Sequence, residues 1–348
     1  MSDLRVAIVG YGLAGSVFHA PFVDATDGMH VAAIVTGNPE RREQARREIP
    51  SATLLAGAGE LWPQAASYDL AVIAAANAAH APLSLAALEA GLPVVVDKPM
   101  ASSAEDAERM IAASLGAGLM LTVFHNRRWD SDFLTARRLI ADGALGRVTR
   151  FESRFERFRP EPRDGVWRES AAAADSGGVL WDLGPHLIDQ ACELFGAPLN
   201  VYAEVDTRRA GAKVDDDAFV ALEHPGGVRS HLWMSQTAAI DGPRMRVSGL
   251  AGAYEQPELD PQEALLREGT RPGGPGWGNA PPGRLAALDG ERTVESVPGD
   301  YGLFYAGVRD AVADGAPAPV DPRDGLRAIR LIDAARRSSA ERRVIALG

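Results

Sequence analysis

Cysteine is almost absent from this chain: Cys192 is the only one among 348 residues. A single thiol excludes an internal disulfide framework and a cysteine-rich metal site, and it fits a reducing compartment. It lies in the apolar run "IDQACELF", where a buried, inert thiol is expected. Long apolar runs are missing as well. No stretch reaches the roughly eighteen residues of a membrane-spanning helix. The opening "MSDLRVAIVG" passes directly into a short β-branched run, without the basic and apolar regions of a secretory signal. The expected location is the cytoplasm, with no membrane partner. Basic excess is the third absence. A formal net charge of −11 argues against non-specific binding to nucleic acid or to an anionic surface.

What is present is an ordinary globular composition, 46% hydrophobic and 24% charged, in a chain long enough for two domains. Over residues 1–124 short apolar runs ("LRVAIVG", "HVAAIVT", "ATLLA", "DLAVIAAA", "LPVVVDK", "LMLTVFH") alternate with stretches of helical period such as "SAEDAERMIAASLGAG". That alternation predicts a doubly wound α/β domain with a parallel sheet covered on both faces. Residues 125–348 read differently. A helix, "DSDFLTARRLIADGALG", precedes period-two runs such as "RVTRFESRFERF", "DAFVALEH" and "VRSHLWMSQ", which predict an α+β domain with a large, mainly antiparallel open sheet. The Pro- and Gly-rich region from about Glu255 to Gly290 reads as a long surface excursion holding a short helix in "DPQEALLRE". "PRDGLRAIRLIDAARRSSAE" reads as a closing helix.

The first chemical signal is "RVAIVGYGLAGSVFHAPFV", with Gly10, Gly12 and Gly15 in G-x-G-x-x-G spacing between a buried strand and a helix. Gly10 permits the tight turn, Gly12 lets a pyrophosphate approach the backbone, and Gly15 allows close helix–strand packing. The helix start then offers N–H groups to phosphate, so these glycines and the intervening Leu13 are placed at a dinucleotide. At the end of the second strand, where an acid would hold the adenosine 2′-hydroxyl, stand Thr36-Gly37-Asn38. Asn38 suits a helix cap with Pro39 in its first turn. Thr36, Asn38 and Arg41 are expected to receive a 2′-phosphate, so NADP is the expected cofactor, with NAD as the alternative.

The second signal is "GGVLWDLGPHLIDQACELFG", whose Leu180, Leu183, Leu187, Ala191 and Leu194 make one buried helical stripe. Beside it run Asp182, His186 and Asp189. Asp182 and His186 are four apart and share a helix face. Such a pair is either a solvated edge or the wall of a site. Lys98 follows the fifth strand, where open α/β sheets bind their ligands, and Pro99 restricts the turn behind it. A metal is not expected, because no third ligand accompanies the Asp/His pair and the lysine would repel a cation.

With "AAANAAH" (Ala74 to His80) and "VVVDKPMA" (Val94 to Ala101), these stretches resemble the glucose–fructose oxidoreductase / inositol dehydrogenase / rhizopine catabolism (Gfo/Idh/MocA) family over essentially the whole chain. Finer stretches ("GLAGSVFHAPF", "FHNRRWDSDFLT", "LWDLGPHLIDQ") are similar to the branch containing NADP-dependent scyllo-inositol dehydrogenases. Asp97 stands where many members carry Glu, and Ala75-Ala76-Asn77 where Thr-Pro-Asn is usual. The resemblance implies a catalytic lysine at Lys98, a motif aspartate at Asp182 and a proton-transferring histidine at His186. It also implies cofactor-lining Asn77 and His80, Asp189 near the substrate, and a homodimer or homotetramer through the C-terminal sheet.

Hydride transfer to or from a secondary alcohol needs a nicotinamide and a residue that takes the hydroxyl proton, roles that histidine and lysine fill. Asn126 and Arg127, just after the last strand of the first domain, are further substrate-binding candidates. Trp167 and Arg168 offer a polyol an aromatic platform and a hydrogen-bonding cation. For these four, packing or surface roles stay open. The expected activity is NADP-preferring oxidoreduction of a cyclic polyol or sugar. Reduction of another carbonyl or an imine, and a non-catalytic dinucleotide-binding sensor, are the alternatives.

Overall fold

The computed structural model describes residues 3–162, 169 and 176–347. The chain forms two compact units. The first comprises Met1–Asn126, Gln262–Trp277 and Asp300–Leu326; the second comprises Arg127–Pro261, Gly278–Gly299 and Arg327–Gly348.

The first unit is built on six parallel strands: β1 (Leu4–Val9), β2 (Met29–Val35), β3 (Thr53–Leu55), β4 (Leu70–Ile73), β5 (Val94–Val96) and β6 (Leu121–Val123). Their order is β3-β2-β1-β4-β5-β6. Every residue of β4, β5 and β6 is buried, which is why these strands read as unbroken apolar runs rather than alternating ones. The helices between them include α1 (Ala20–Ala25), α2 (Pro39–Glu48), α3 (Asn77–Glu89) and α4 (Ala104–Ala117). Their boundaries follow local chemistry. In α4, the Ser103 hydroxyl accepts the Asp106 amide at 3.1 Å, and Gly118 ends the helix in the left-handed region. The strand order reverses between β1 and β4, and ligands of such sheets bind beyond the carboxyl ends at that point.

The expected division into 1–124 and 125–348 lies close to the first break, after Asn126, and differs in that Gln262–Trp277 and Asp300–Leu326 rejoin the first unit. The chain returns to the first unit because its core is incomplete without later aromatic rings. Trp277 and Tyr301 each lie 5.9 Å from Phe22, and Phe304 lies 5.0 Å from Phe124. The Thr122 hydroxyl donates to the Val320 carbonyl at 2.8 Å. The Gly/Pro-rich region is therefore not a surface excursion throughout, since Trp277 is buried. The short helix within it is Gln262–Arg267.

The second unit carries a nine-stranded sheet: β7 (Val148–Glu156), β8 (Asn200–Asp206), β9 (Asp217–Glu223), β10 (Arg229–Ser235), β11 (Met245–Gly249), β12 (Gly252–Gln256), β13 (Gly283–Ala287), β14 (Gly290–Val294) and β15 (Ile345–Ala346). The order is β14-β13-β12-β11-β7-β10-β9-β8-β15. All pairs are antiparallel except β7 with β10. Helix α5 (Ser131–Ala141) leads into β7, and α6 (Val179–Phe195) packs on β7, β9 and β10. The hairpin β13–β14 falls partly inside the region that composition marks as loop. The helix Pro322–Glu341 spans the whole stretch that its apolar spacing predicts.

Candidate active site

In the first unit, the glycine turn is shaped by steric necessity. Gly10 has φ +104°, and a Cβ there would stand 2.4 Å from the Ala74 carbonyl oxygen. A Cβ on Gly15 would stand 2.0 Å from the Gly10 carbonyl oxygen. Neither site admits a side chain. Gly12 differs: the nearest atoms to a Cβ are those of the Arg41 guanidinium, at 3.5–3.6 Å. A cation therefore stands over Gly12, and this cradle fits a dinucleotide. Leu13 is 42% exposed at the start of the helical stretch.

At the end of β2, Thr36 is buried and its amide donates to the Leu55 carbonyl at 3.0 Å. Asn38 caps α2 by accepting the Arg41 amide at 3.0 Å. The cap directs the first turn of α2, and with it Arg41, toward the glycine turn. Asn77 opens α3 directly after β4, half-buried.

Lys98 follows β5 and is half-buried; its peptide bond to Pro99 is cis. The Lys98 amide donates to its neighbour's Asp97 carboxylate at 2.8 Å. Burial by itself would raise the Asp97 carboxyl, but His19, His80 and Lys98 together hold it down at about 2. His80 is fully buried, its Nδ1 2.7 Å from the Pro99 carbonyl and its Nε2 3.1 Å from the Ala75 carbonyl. Burial pushes the His80 imidazole down, with the Asp97 charge acting against it. The ring thus ties the loop after β4 to the loop after β5.

In the second unit, Asp215 starts helix α6. Its carboxylate accepts the Leu180 amide at 2.8 Å and is paired with Arg336 at 2.6 Å. Gly178 precedes the helix at φ +97°, because a Cβ there would lie 2.3 Å from Asp215 Oδ1. Asp182 is half-buried in the first turn and His186, one turn on, is buried. Gly184 lets the helix approach β10, with the Met234 sulfur 3.6 Å from where its Cβ would be. The Phe155 ring lies edge-on to His186, centroids 6.2 Å apart. That ring is itself flanked by the guanidinium carbons of Arg127 at 4.8 Å and Arg244 at 4.3 Å. Arg244 is paired with Asp132 at 2.9 Å and donates to the Ser153 hydroxyl and, at 3.1 Å, to Gln190.

The structure thus gathers Gly10, Gly12, Gly15, Arg41, Asn77 and Lys98 at the carboxyl ends of the first unit's strands, and places Asp182 and His186 together on α6. Asn126 is buried at the start of a 3-10 turn. Arg127 is buried, paired with Asp130 at 3.2 Å, its carbonyl accepting Gln190 at 2.8 Å. Asp189 is paired with Arg128 by two hydrogen bonds at 2.8 and 2.6 Å. Trp167 and Arg168 lie outside the described residues. Sequence reasoning missed Arg128, Phe155 and Arg244. Adjacent arginines in "FHNRRWD" were a signal for the first; the other two carry none. Among the described residues no His, Cys, Asp or Glu cluster suits a metal ion.

Comparison with known proteins agrees with this architecture. Residues 4–125 match the model of an oxidoreductase family with an NAD-binding Rossmann fold, and residues 133–255 match the GFO/IDH/MocA C-terminal domain. The chain is 39% identical to an uncharacterized oxidoreductase, YdgJ, of Escherichia coli (strain K12), over the whole of both chains. It is 35% identical to the scyllo-inositol 2-dehydrogenase (NADP(+)) IolW of Bacillus subtilis (strain 168), covering 100% of this chain and 97% of that one. A solved structure of the Bacillus subtilis oxidoreductase yvaA superposes with a TM-score of 0.94 at 34% identity, covering 100% of this chain and 99% of that one. With a glycine turn closed to side chains at Gly10 and Gly15, a lysine just after β5 and an Asp/His face on α6, the chain belongs to the Gfo/Idh/MocA family of oxidoreductases.

Proposed function

We propose that this protein is an NADP-preferring dehydrogenase acting on a secondary alcohol of a cyclic, inositol-like polyol or sugar. The observation that carries the reading is the shared face of Asp182 and His186 on α6, in a chain with Lys98 two residues after β5. A bound nicotinamide supplies the hydride acceptor, or the donor in reduction. The chain's own residues do the rest. The glycine turn receives the pyrophosphate, and Arg41 with Thr36 favours a 2′-phosphate where no acid repels it. His186 Nε2 or Lys98 Nζ takes the hydroxyl proton in oxidation and returns it in reduction. Asp182 hydrogen-bonds the polyol. Asn77 lines the cofactor side. Asp189 serves by holding Arg128. The NADP-dependent inositol dehydrogenase among the relatives supports both the substrate class and the cofactor.

The same reading places the protein in the cytoplasm as a homodimer or homotetramer. Supporting the latter, Phe219, His231 and Trp233 cluster half-buried on β9 and β10, with the Arg154 guanidinium 3.9 Å from the Trp233 ring centre. That face offers a self-complementary mixture of rings and charges.

The test follows nicotinamide absorbance with a panel of inositols, aldoses and their keto forms, using NADP and NAD in parallel. Turnover of an inositol or sugar with NADP better than NAD is expected. Lys98→Ala and His186→Ala should each lose at least about a hundredfold in kcat. Tight cofactor binding without turnover of any of these substrates overturns the reading.

A further inference from the structure

Tyr11 stands between Gly10 and Gly12 in the turn, yet it is 1% exposed and takes no part in the chemistry above. Its hydroxyl donates to Glu48 Oε2 at 2.9 Å, and the Gln44 side-chain amide donates to Glu48 Oε1 at 3.0 Å. Burial pushes the Tyr11 phenol above its ordinary range and the Glu48 charge adds to this, so the group keeps its proton and remains a donor. Glu48 is the last residue of α2. The helix macrodipole disfavours a carboxylate at that end. The helix itself thus gives no reason for an acid there; the phenol does.

Helix α2, "PERREQARRE", is polar nearly all round and buries only Ala45. Such a helix has no broad apolar stripe to fix its setting, which leaves that task to polar contacts at its two ends. At the start, Asn38 accepts the Arg41 amide. At the finish stands the Tyr11–Glu48 bond. Arg41 and Glu48 are seven residues apart, two turns and about 10 Å along the axis, so they share one face with Ala45 between them. Both residues meet the same turn. Glu48 does so at Tyr11, and Arg41 does so with its guanidinium 3.5–3.6 Å from where a Gly12 Cβ would stand.

We propose that Tyr11 is a positioning residue for cofactor discrimination: its bond to Glu48 sets α2 against the glycine turn and so holds Arg41 where a 2′-phosphate is received. The inference rests on the role given to Arg41 above. Without the phenol hydroxyl, α2 keeps its capped start and loses the contact that fixes its far end, and Arg41 stands over the turn for only part of the time. A competent setting populated about a tenth to a third of the time raises the apparent Kd three- to tenfold. NADH carries no 2′-phosphate and does not register the change. A tyrosine that merely fills the interior is replaceable by phenylalanine with discrimination intact.

Dissociation constants of NADPH and NADH are measured by fluorescence titration of the full-length protein, with melting temperature alongside. The proteins compared are wild type, Tyr11→Phe, Glu48→Ala, Glu48→Gln, Arg41→Ala and the double variant Tyr11→Phe/Arg41→Ala. Tyr11→Phe and Glu48→Ala are expected to weaken NADPH by about three- to tenfold and to leave NADH within about twofold. Glu48→Gln keeps an oxygen that accepts from the phenol and should stay within about twofold of wild type for both. In the Arg41→Ala background Tyr11→Phe should bring no further loss, since the residue it positions is gone. Unaltered NADPH binding in Tyr11→Phe overturns the proposal. So does an equal loss of both dinucleotides, which marks a role in the turn itself, or the full loss repeated without Arg41. Should Tyr11→Phe fail to fold, Glu48→Ala removes the same bond from an exposed position, and its unaltered NADPH binding overturns the proposal. Binding does not depend on turnover. An Arg41→Ala protein that binds NADPH like the wild type sinks the 2′-phosphate reading and the proposal with it. A weakened Arg41→Ala beside an unaltered Tyr11→Phe sinks the positioning role alone.

Discussion

Arg128 clasps Asp189 through two hydrogen bonds, at 2.8 and 2.6 Å, with both side chains almost entirely buried. The pair fixes α6 one turn beyond His186, to the short turn that begins at Asn126. Removing Asp189 takes away the bidentate partner of the buried Arg128, while Glu193 still stands 3.1 Å from it. Asp189→Ala should therefore lower stability by about 1.5–3 kcal/mol, read by urea unfolding. If Asp189 instead mainly touched substrate, unfolding would be unchanged and only KM would rise.

Gly12 is the one glycine of the turn with room for a methyl group, since the nearest atoms to it, those of the Arg41 side chain, stand at 3.5–3.6 Å. Gly12→Ala should melt with the wild type but bind NADPH at least about tenfold more weakly, a change near 1.4 kcal/mol. Fluorescence titration measures the binding. Gly15→Ala, by contrast, should fail to fold well, because its Cβ meets backbone.

Arg41 should decide between the two nicotinamide dinucleotides. Its loss in Arg41→Ala removes a charge-assisted bond of about 1.5–3 kcal/mol. The NADP-over-NAD ratio of kcat/KM should fall by roughly ten- to a hundredfold, through NADP alone. An unchanged ratio would show that Arg41 attends only to the pyrophosphate common to both.

Asp97 makes stability depend on acid. Its folded value of about 2 lies below the roughly 3.9 of a free aspartate. A depressed carboxyl contributes stability that is present above the unfolded value and is lost as pH falls through the folded one. The contribution, about 2 kcal/mol for this mostly buried group, should fade between about pH 4 and pH 2. Urea unfolding of wild type and Asp97→Asn at pH 6, 4 and 2.5 reads it: the wild type should lose more than the variant on acidification. Parallel losses would remove Asp97 from the acid response.

The glycine turn, β5 with its lysine and the whole of α6 are legible in the sequence because their signals are local: fixed spacing, an unbroken apolar run, a stripe at helical period. Asn38 is legible for the same reason, as a cap three residues from the amide it accepts. Arg128 with Asp189, and Tyr11 with Glu48, are not legible, since each pair is joined only by the tertiary fold. Phe155 carries no sequence signal beyond its strand alternation, yet it abuts the His186 ring. The parallel pairing of β7 with β10 inside an otherwise antiparallel sheet is equally silent, because strand alternation is blind to direction. The return of Gln262–Trp277 and Asp300–Leu326 to the first unit is not legible, because Pro and Gly mark a break in regular structure, not the unit a segment packs with.

The late return of Trp277, Tyr301 and Phe304 to the core around Phe22 and Phe124 bears on biosynthesis. A ribosome that has released all six parallel strands has released a sheet whose aromatic lining is still untranslated. The nucleotide-binding unit is finished only when synthesis nears its end, so its early segment must wait in a partly exposed state. A truncation just after β6 should yield an aggregating fragment rather than a free-standing cofactor-binding domain, and the two units must mature as one event.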